Sequence, residues 1–310
     1  PVRDGKCEAC HQPHASSEPD LLVKPAAVLC TSCHESIEAL KKWPVVHAPL
    51  RSGACTRCHD PHGTEVAGSL IDQPSVLCAK CHAPAALPAK HRGFPVDKAD
   101  CAGCHAPHAS KRANLPHEHV HQPYGAGNCA ACHAGTAATT KQSQPELCLS
   151  CHPGLAASLK AGTPHGAITG PQACTSCHAA HTGPVAPLLP ARQAVVCATC
   201  HQEQVDANRT AVHRHPQVDG RECTTCHDPH LSSREGEDQA TRESCLNCHT
   251  YRDHVDHPMG EDTVDPRTGR KMTCGSCHDP HGSPFVRFMR DDPEGKLCIG
   301  CHTDKLRTGG

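Results

Sequence analysis

The chain has 310 residues and a formal charge of −2 at pH 7, from 30 Lys plus Arg against 32 Asp plus Glu. With no basic block or stripe it does not read as a polyanion binder, so nucleic acid is not an expected partner. Only 37% of residues are hydrophobic and 2% aromatic, while 28 Pro and 24 Gly interrupt regular structure. Most of that hydrophobic fraction is Ala and Cys, which excludes an ordinary aliphatic core. No run reaches the 18 or so apolar residues of a membrane span, so none is expected. Pro1–Gly5 does not read as a signal sequence, as expected of a processed chain or a piece of a longer one.

All 26 cysteines fall in Cys-x-x-Cys pairs, each followed at once by His. In chain order they are Cys7/Cys10/His11, Cys30/Cys33/His34, Cys55/Cys58/His59, Cys78/Cys81/His82, Cys101/Cys104/His105, Cys129/Cys132/His133 and Cys148/Cys151/His152. The series continues with Cys174/Cys177/His178, Cys197/Cys200/His201, Cys223/Cys226/His227, Cys245/Cys248/His249, Cys274/Cys277/His278 and Cys298/Cys301/His302. This is the attachment pattern of c-type haem. Two thiols three residues apart reach the two vinyl groups on one porphyrin edge, and the next side chain offers an imidazole to iron. Zinc sites need two such pairs or a distant His pair per metal, and a disulfide scaffold has no use for the His. Thirteen covalent haems are therefore expected, and their apolar faces supply the buried surface that side chains lack. Folding is then coupled to cofactor attachment. Two ionised propionates per haem make the loaded chain strongly acidic, with Lys and Arg as their partners.

Six motifs carry a second His three residues after the motif His: His14, His62, His108, His181, His230 and His281. We term these B and the others A. They alternate except for an extra A-like pair at Cys129. Five A-B units are read at about 30–62, 78–108, 148–181, 197–230 and 245–281, with half units at 1–14 and 298–310 and an inserted haem segment at 117–133. The expectation is a single continuous array over 1–310. Short helices are expected over 35–43 and over 147–159, the second interrupted at Pro153-Gly154, and a surface loop over 256–271.

This arrangement of paired motifs resembles the doubled-CXXCH multihaem cytochromes, and more loosely extracellular nanowire cytochromes and outer-membrane decahaem conduits. The resemblance implies covalent haem with two His ligands, an extracytoplasmic location and electron transfer. The expected fold is mostly irregular, with short α-helices and little or no β-sheet: an elongated array around closely packed haems.

Sixteen histidines remain beyond the motifs, enough for a second imidazole on every iron. Nine stand alone: His14, His47, His62, His91, His108, His165, His181, His230 and His281. Two of His117/His119/His121, one of His213/His215 and one of His254/His257 complete thirteen, taken as His117, His121, His213 and His254 although sequence alone leaves the cluster members interchangeable. The extra ligand of the first cluster serves the extra haem at Cys129. A trailing His cannot round the porphyrin rim on a tether of about 10 Å, so it must bind a different haem. Each B segment then pins two haems together. Met259, Met272 and Met289 read as packing residues.

Every motif keeps its His and imidazoles are in surplus, so no iron is obviously open for catalysis. The expected function is electron transfer along a molecular wire, without enzymatic activity, in a bacterial or archaeal periplasm or at the cell surface. The partners expected are other redox proteins or extracellular acceptors, with head-to-tail self-association into a filament. The alternatives are a periplasmic or outer-membrane conduit and, of another class, an oxidoreductase with one open haem.

Overall fold

The computed structural model describes residues 1–91, 96, 99–135, 139–216, 222–232, 242–250 and 260–305. The chain forms two compact units: residues 1–143 with 178–190, and residues 144–177 with 191–310. Both follow the expected fold class, short helices and turns joined by irregular chain.

The two motif types fold differently. Each A motif places its first Cys in a helix: α1 Ala26–Thr31, α4 Pro74–Ala79, α8 Glu146–Leu149, α10 Gln193–Thr210, α11 Arg242–Leu246 and α13 Lys296–Ile299. Between these come α2 Glu35–Leu40, α3 Ala48–Arg51, α5 Leu87–Lys90, α6 Cys101–Cys104, α7 Gln122–Gly125, α9 Pro153–Ala161 and α12 Cys274–Cys277. The B motifs are instead single turns, as at Cys7–Ala9, Cys55–Arg57 and Cys223–Thr225 or in α6 and α12. The extra pair read as A-like also folds as such a turn, Cys129–Ala131, because no helix-forming run precedes it. After A motifs, His34 and His152 cap the starts of α2 and α9, and Pro153 occupies the first turn of α9, where its missing N–H costs nothing. α2 is the helix expected over 35–43, with a shorter end, whereas the stretch expected over 147–159 forms α8 and then α9, which starts at Pro153 and runs on to Ala161. In α10 the backbone kinks at His201 (φ −111°, ψ 42°), so it is two helices joined at the motif His.

Among the described residues sheet is confined to two-stranded pairs, all antiparallel. Val45–Val46 (β1) pairs with Ala109–Ser110 (β2), His119–Val120 (β3) with Thr182–Gly183 (β5), and Thr163–Pro164 (β4) with Leu231–Ser232 (β6). The fourth pair, β7 Gly260–Asp265 with β8 Arg270–Met272, corrects the reading of this stretch as a loop; residues 256–259 of that reading lie outside the described residues. Its turn is locked by a buried carboxylate. Asp265 accepts from the Arg267 backbone N–H at 2.9 Å, from Nε at 3.0 Å and from Nη2 at 2.7 Å. The Arg267 guanidinium holds the Asp265 carboxyl down at about 2. The stability this pair contributes is therefore complete above the usual carboxylate range and is lost as pH falls through about 2. Asp265→Asn is expected to cost about 2 kcal/mol, read as faster hydrogen exchange of the hairpin amides at neutral pH.

The apolar core is nearly absent. Among the described residues the buried hydrophobic side chains are Leu50, Ala109, Ile168, Ala173, Leu189 and Ala194. Where backbones do meet they meet closely: Gly53 (φ +71°) has no room for a Cβ, which would lie 2.5 Å from the Ala27 Cβ of α1.

Candidate haem sites

Among the described residues eight pairs of imidazoles face each other. They are His11 with His62 (6.0 Å between ring centroids), His47 with His82 (6.0 Å), His59 with His108 (5.9 Å) and His91 with His105 (6.0 Å). The others are His133 with His181 (5.9 Å), His165 with His201 (6.1 Å), His215 with His249 (5.8 Å) and His227 with His281 (5.7 Å). Each of these joins one motif His to one non-motif His. A metal held between two imidazoles at about 2 Å from each nitrogen, with the ring centre roughly 1 Å further, spaces the centroids by about 6 Å. The rings are thus set for one iron between them, and the residues fit haem.

The proton positions fit too. After a B motif the chain loops back so that the motif His donates Nδ1–H to the carbonyl nine residues on. The acceptors are Asp20 for His11 (2.8 Å), Gly68 for His59 (2.9 Å), Asn114 for His105 (2.8 Å), Pro187 for His178 (2.9 Å) and Arg287 for His278 (2.8 Å). A proton fixed on Nδ1 leaves the Nε2 lone pair for metal. The loops reach this geometry through left-handed residues, among them Asp20 (φ 55°), Leu21 (φ 56°), Asn114 (φ 65°), Leu115 (φ 56°), Arg287 (φ 55°) and Phe288 (φ 59°). Each costs about 1–2 kcal/mol, and their recurrence at one place in the repeat marks a functional constraint. In the extra segment the loop is four residues shorter, and the buried His133 Nδ1 has no partner among the described residues.

The trailing histidines do not return to their own motif. His62 faces His11, His108 faces His59 and His281 faces His227, each the motif His of the preceding B segment, while His181 faces His133 of the inserted segment. In the His-Asp-Pro-His versions the Asp accepts the trailing backbone N–H: Asp60 from His62 (2.9 Å), Asp228 from His230 (2.9 Å) and Asp279 from His281 (3.1 Å). The His281 side chain first, and then its backbone N–H, hold the Asp279 carboxyl below its usual range.

The small strand pairs place the remaining ligand candidates. The residue two beyond a trailing His pairs with Val45, His119, Thr163 or His213, and two residues further stand His47, His121, His165 and His215. His47 and His165 face motif histidines, as does His215. In this register His213 takes the place of Val45 and Thr163, while His215, left as a spare in the sequence reading, faces His249. Similarly His119 takes a strand position and His121 the ligand position, with its Nδ1 on the Ala180 carbonyl at 3.1 Å. His117, selected from sequence, is 8% exposed, and its Nε2 is engaged by the Ala102 carbonyl at 2.7 Å. The one-dimensional spacing does not separate these neighbours; the cross-strand register sets His47, His121, His165 and His215 at one position and His119 and His213 at another. His14 is exposed on the first turn, and among the described residues no second imidazole faces His34 or His302. His254 lies outside the described residues.

The cysteines read as attachment points fold into motif turns, and none of the 26 is in a disulfide. The second Cys of a motif donates its backbone N–H to the carbonyl of the first. The distances are 3.1 Å for Cys10 on Cys7, 3.3 Å for Cys33 on Cys30, 3.2 Å for Cys132 on Cys129 and 3.2 Å for Cys151 on Cys148. They are 3.3 Å for Cys177 on Cys174, 3.3 Å for Cys226 on Cys223, 3.2 Å for Cys248 on Cys245 and 3.1 Å for Cys301 on Cys298. A turn this tight keeps two thiols on one short arc, as attachment to one porphyrin edge requires. Cys33, Cys151 and Cys248 are exposed, with the Ser150 hydroxyl 3.8 Å from the Cys151 Sγ, and Cys132 is half-buried. The polypeptide itself does not enclose these four, so their assignment to haem rests on the motif.

Between motifs the thiols follow chain order. Cys30 is within hydrogen-bonding reach of Cys55, Cys78 of Cys101, Cys197 of Cys223 and Cys245 of Cys274, linking these four A motifs to the next B. Burial first, and then the neighbouring thiol, push Cys78, Cys197 and Cys245 up to about 11. The B-to-A links are closed by Cys10 beside Cys30, Cys58 beside Cys81, Cys177 beside Cys200, Cys226 beside Cys245 and Cys277 beside Cys301. In the haem-loaded chain these sulfurs would be thioethers to porphyrin. Among the described residues no three His, Cys, Asp or Glu converge on a point, so the zinc alternative has no site there.

This combination of attachment motifs and facing imidazoles defines a multihaem c-type cytochrome. The doubled CXXCH motif family matches residues 1–39, 47–87, 215–254 and 266–307, just over half of the chain, which belongs to that family. The cytochrome c3 family matches residues 119–202, a stretch holding four attachment motifs. A "Multiheme cytochrome MtrA" of Shewanella baltica (strain OS185) is 30% identical over 115 residues, covering 37% of this chain and 33% of that protein. The matched region thus spans about a third of the relative's length.

Proposed function

We propose that the chain carries thirteen covalent haems, each held by two imidazoles, in one continuous array that passes electrons from haem to haem. The observation carrying this reading is the set of eight imidazole pairs, each with one motif His and a spacing suited to one iron. The chain-ordered thiol contacts support an electron path in sequence order, and a trailing His that reaches the preceding B segment ties alternate haems together. The residues' own contributions are to fix each iron's two axial nitrogens, to hold their protons on Nδ1, and to keep neighbouring porphyrins in contact. The bound haem supplies the one-electron chemistry. Two imidazoles on every iron leave no position for substrate, so the chain acts as a carrier and not an oxidoreductase.

Thioether attachment requires reduced thiols and export, which supports an extracytoplasmic site. Among the described residues no helix is long and apolar enough to cross a membrane. The partners in this reading are other redox proteins or extracellular acceptors, and head-to-tail association of copies forms a filament. Adding carbon monoxide to the reduced protein tests the ligation: the spectrum is expected not to change, and CO uptake by a substantial fraction of the haem would replace this reading with an oxidoreductase. Negative-stain microscopy tests the assembly: fibres support the filament, and monodisperse particles remove it.

A further inference from the structure

We propose that the hydroxyl five residues after a B-type motif His is a positioning residue for the trailing imidazole, and through it for ligation of the preceding haem. The proposal rests on the two-imidazole reading above. Four segments show the same latch. Ser16, Thr64, Ser110 and Ser283 each accept a backbone N–H from two residues on: Glu18 at 2.9 Å, Val66 at 3.2 Å, Arg112 at 3.1 Å and Phe285 at 2.9 Å. Each hydroxyl also donates to the carbonyl six residues on, Leu22 at 2.5 Å, Leu70 at 2.8 Å, Pro116 at 2.7 Å, and Met289.

Those acceptors are not arbitrary. Leu22, Leu70, Pro116 and Met289 are the residues whose backbones bridge to His11, His59, His105 and His278. The hydroxyl therefore closes a ring: motif His, trailing His three residues later, hydroxyl two residues after that, and back to the strand lying on the motif His. The trailing imidazole is gripped on both sides while it reaches out to another segment's iron. The segment of His178 shows what replaces the latch. It has Gly183 at the latch position, and Thr182, next to His181, donates to the Cys104 carbonyl at 3.0 Å instead. Thr64 is exposed, so its hydroxyl serves this loop and not packing. Loss of one such bond is too small to unfold a cofactor-stapled chain but frees a ligand loop.

The test uses the haem-loaded protein with Thr64→Val, which keeps the side-chain shape, and Thr64→Ser, which keeps the hydroxyl. The readouts are low-temperature electron paramagnetic resonance and CO binding after reduction. Thr64→Val is expected to shift the low-spin signal of the one haem ligated by His62, or to make one haem in thirteen CO-reactive, while Thr64→Ser matches the parent. Ser110→Ala is expected to do the same at the haem ligated by His108. Parent-like spectra in both Thr64→Val and Ser110→Ala overturn the proposal, as does a shift that Thr64→Ser shares. CO binding by the unsubstituted protein would instead sink the two-imidazole reading, so the two failures are distinguishable.

Discussion

Chain produced without haem attachment is expected to be unfolded, with a coil-like far-ultraviolet dichroism spectrum and no protected amides. The reason is compositional and geometric at once. Three large aliphatic side chains, Leu50, Ile168 and Leu189, are the bulk of the buried hydrophobic set among the described residues. Fixing each residue's backbone costs about 1–2 kcal/mol, which such a set cannot offset. Two-residue strands and helices of four to six residues do not persist alone either. The same chain with haem attached is expected to stay folded on heating until the ligands dissociate. A compact, cooperatively melting apo-chain would show that side chains suffice.

His215→Ala is expected to open one iron, that of the haem at Cys245/Cys248, whereas His213→Ala opens none. The structure sets His215 5.8 Å from His249 and uses His213 in a backbone bridge to Ser283. Replacing one imidazole by water or nothing creates a high-spin haem that binds CO when reduced, and loss of a strong-field donor raises that haem's potential. The expected signal is one CO-reactive haem in thirteen for His215→Ala and none for His213→Ala. His117→Ala is expected to behave like His213→Ala, because its ring is buried on a backbone carbonyl. The reverse pattern would show that the strand register does not govern ligand choice.

The haem-attachment motif was legible in the sequence because it is local, five consecutive residues, and it agrees with the doubled CXXCH family to which the chain belongs. Tether length alone set the expectation that a trailing His reaches away from its own motif, and His62, His108, His181 and His281 face imidazoles of other segments. The choice within His213/His215 was not legible, since the two are equivalent until β-type pairing with Ser283 fixes their register. Nor was the hydroxyl latch, although Ser16, Thr64, Ser110 and Ser283 stand at one offset from their motifs and an aligned reading of the repeats finds them. The 260–272 hairpin was read as a loop because its Asp, Gly and Arg are turn formers; the turn is there, Asp265 and Arg267 brace it, and short strands flank it.

Intact mass spectrometry of the purified, denatured protein bears most directly on whether the chain is built around covalent haem. The account predicts the 32.9 kDa polypeptide plus thirteen haem masses, surviving acid and solvent that strip non-covalent cofactors. A mass equal to the bare polypeptide, from protein that is nonetheless folded, would contradict it.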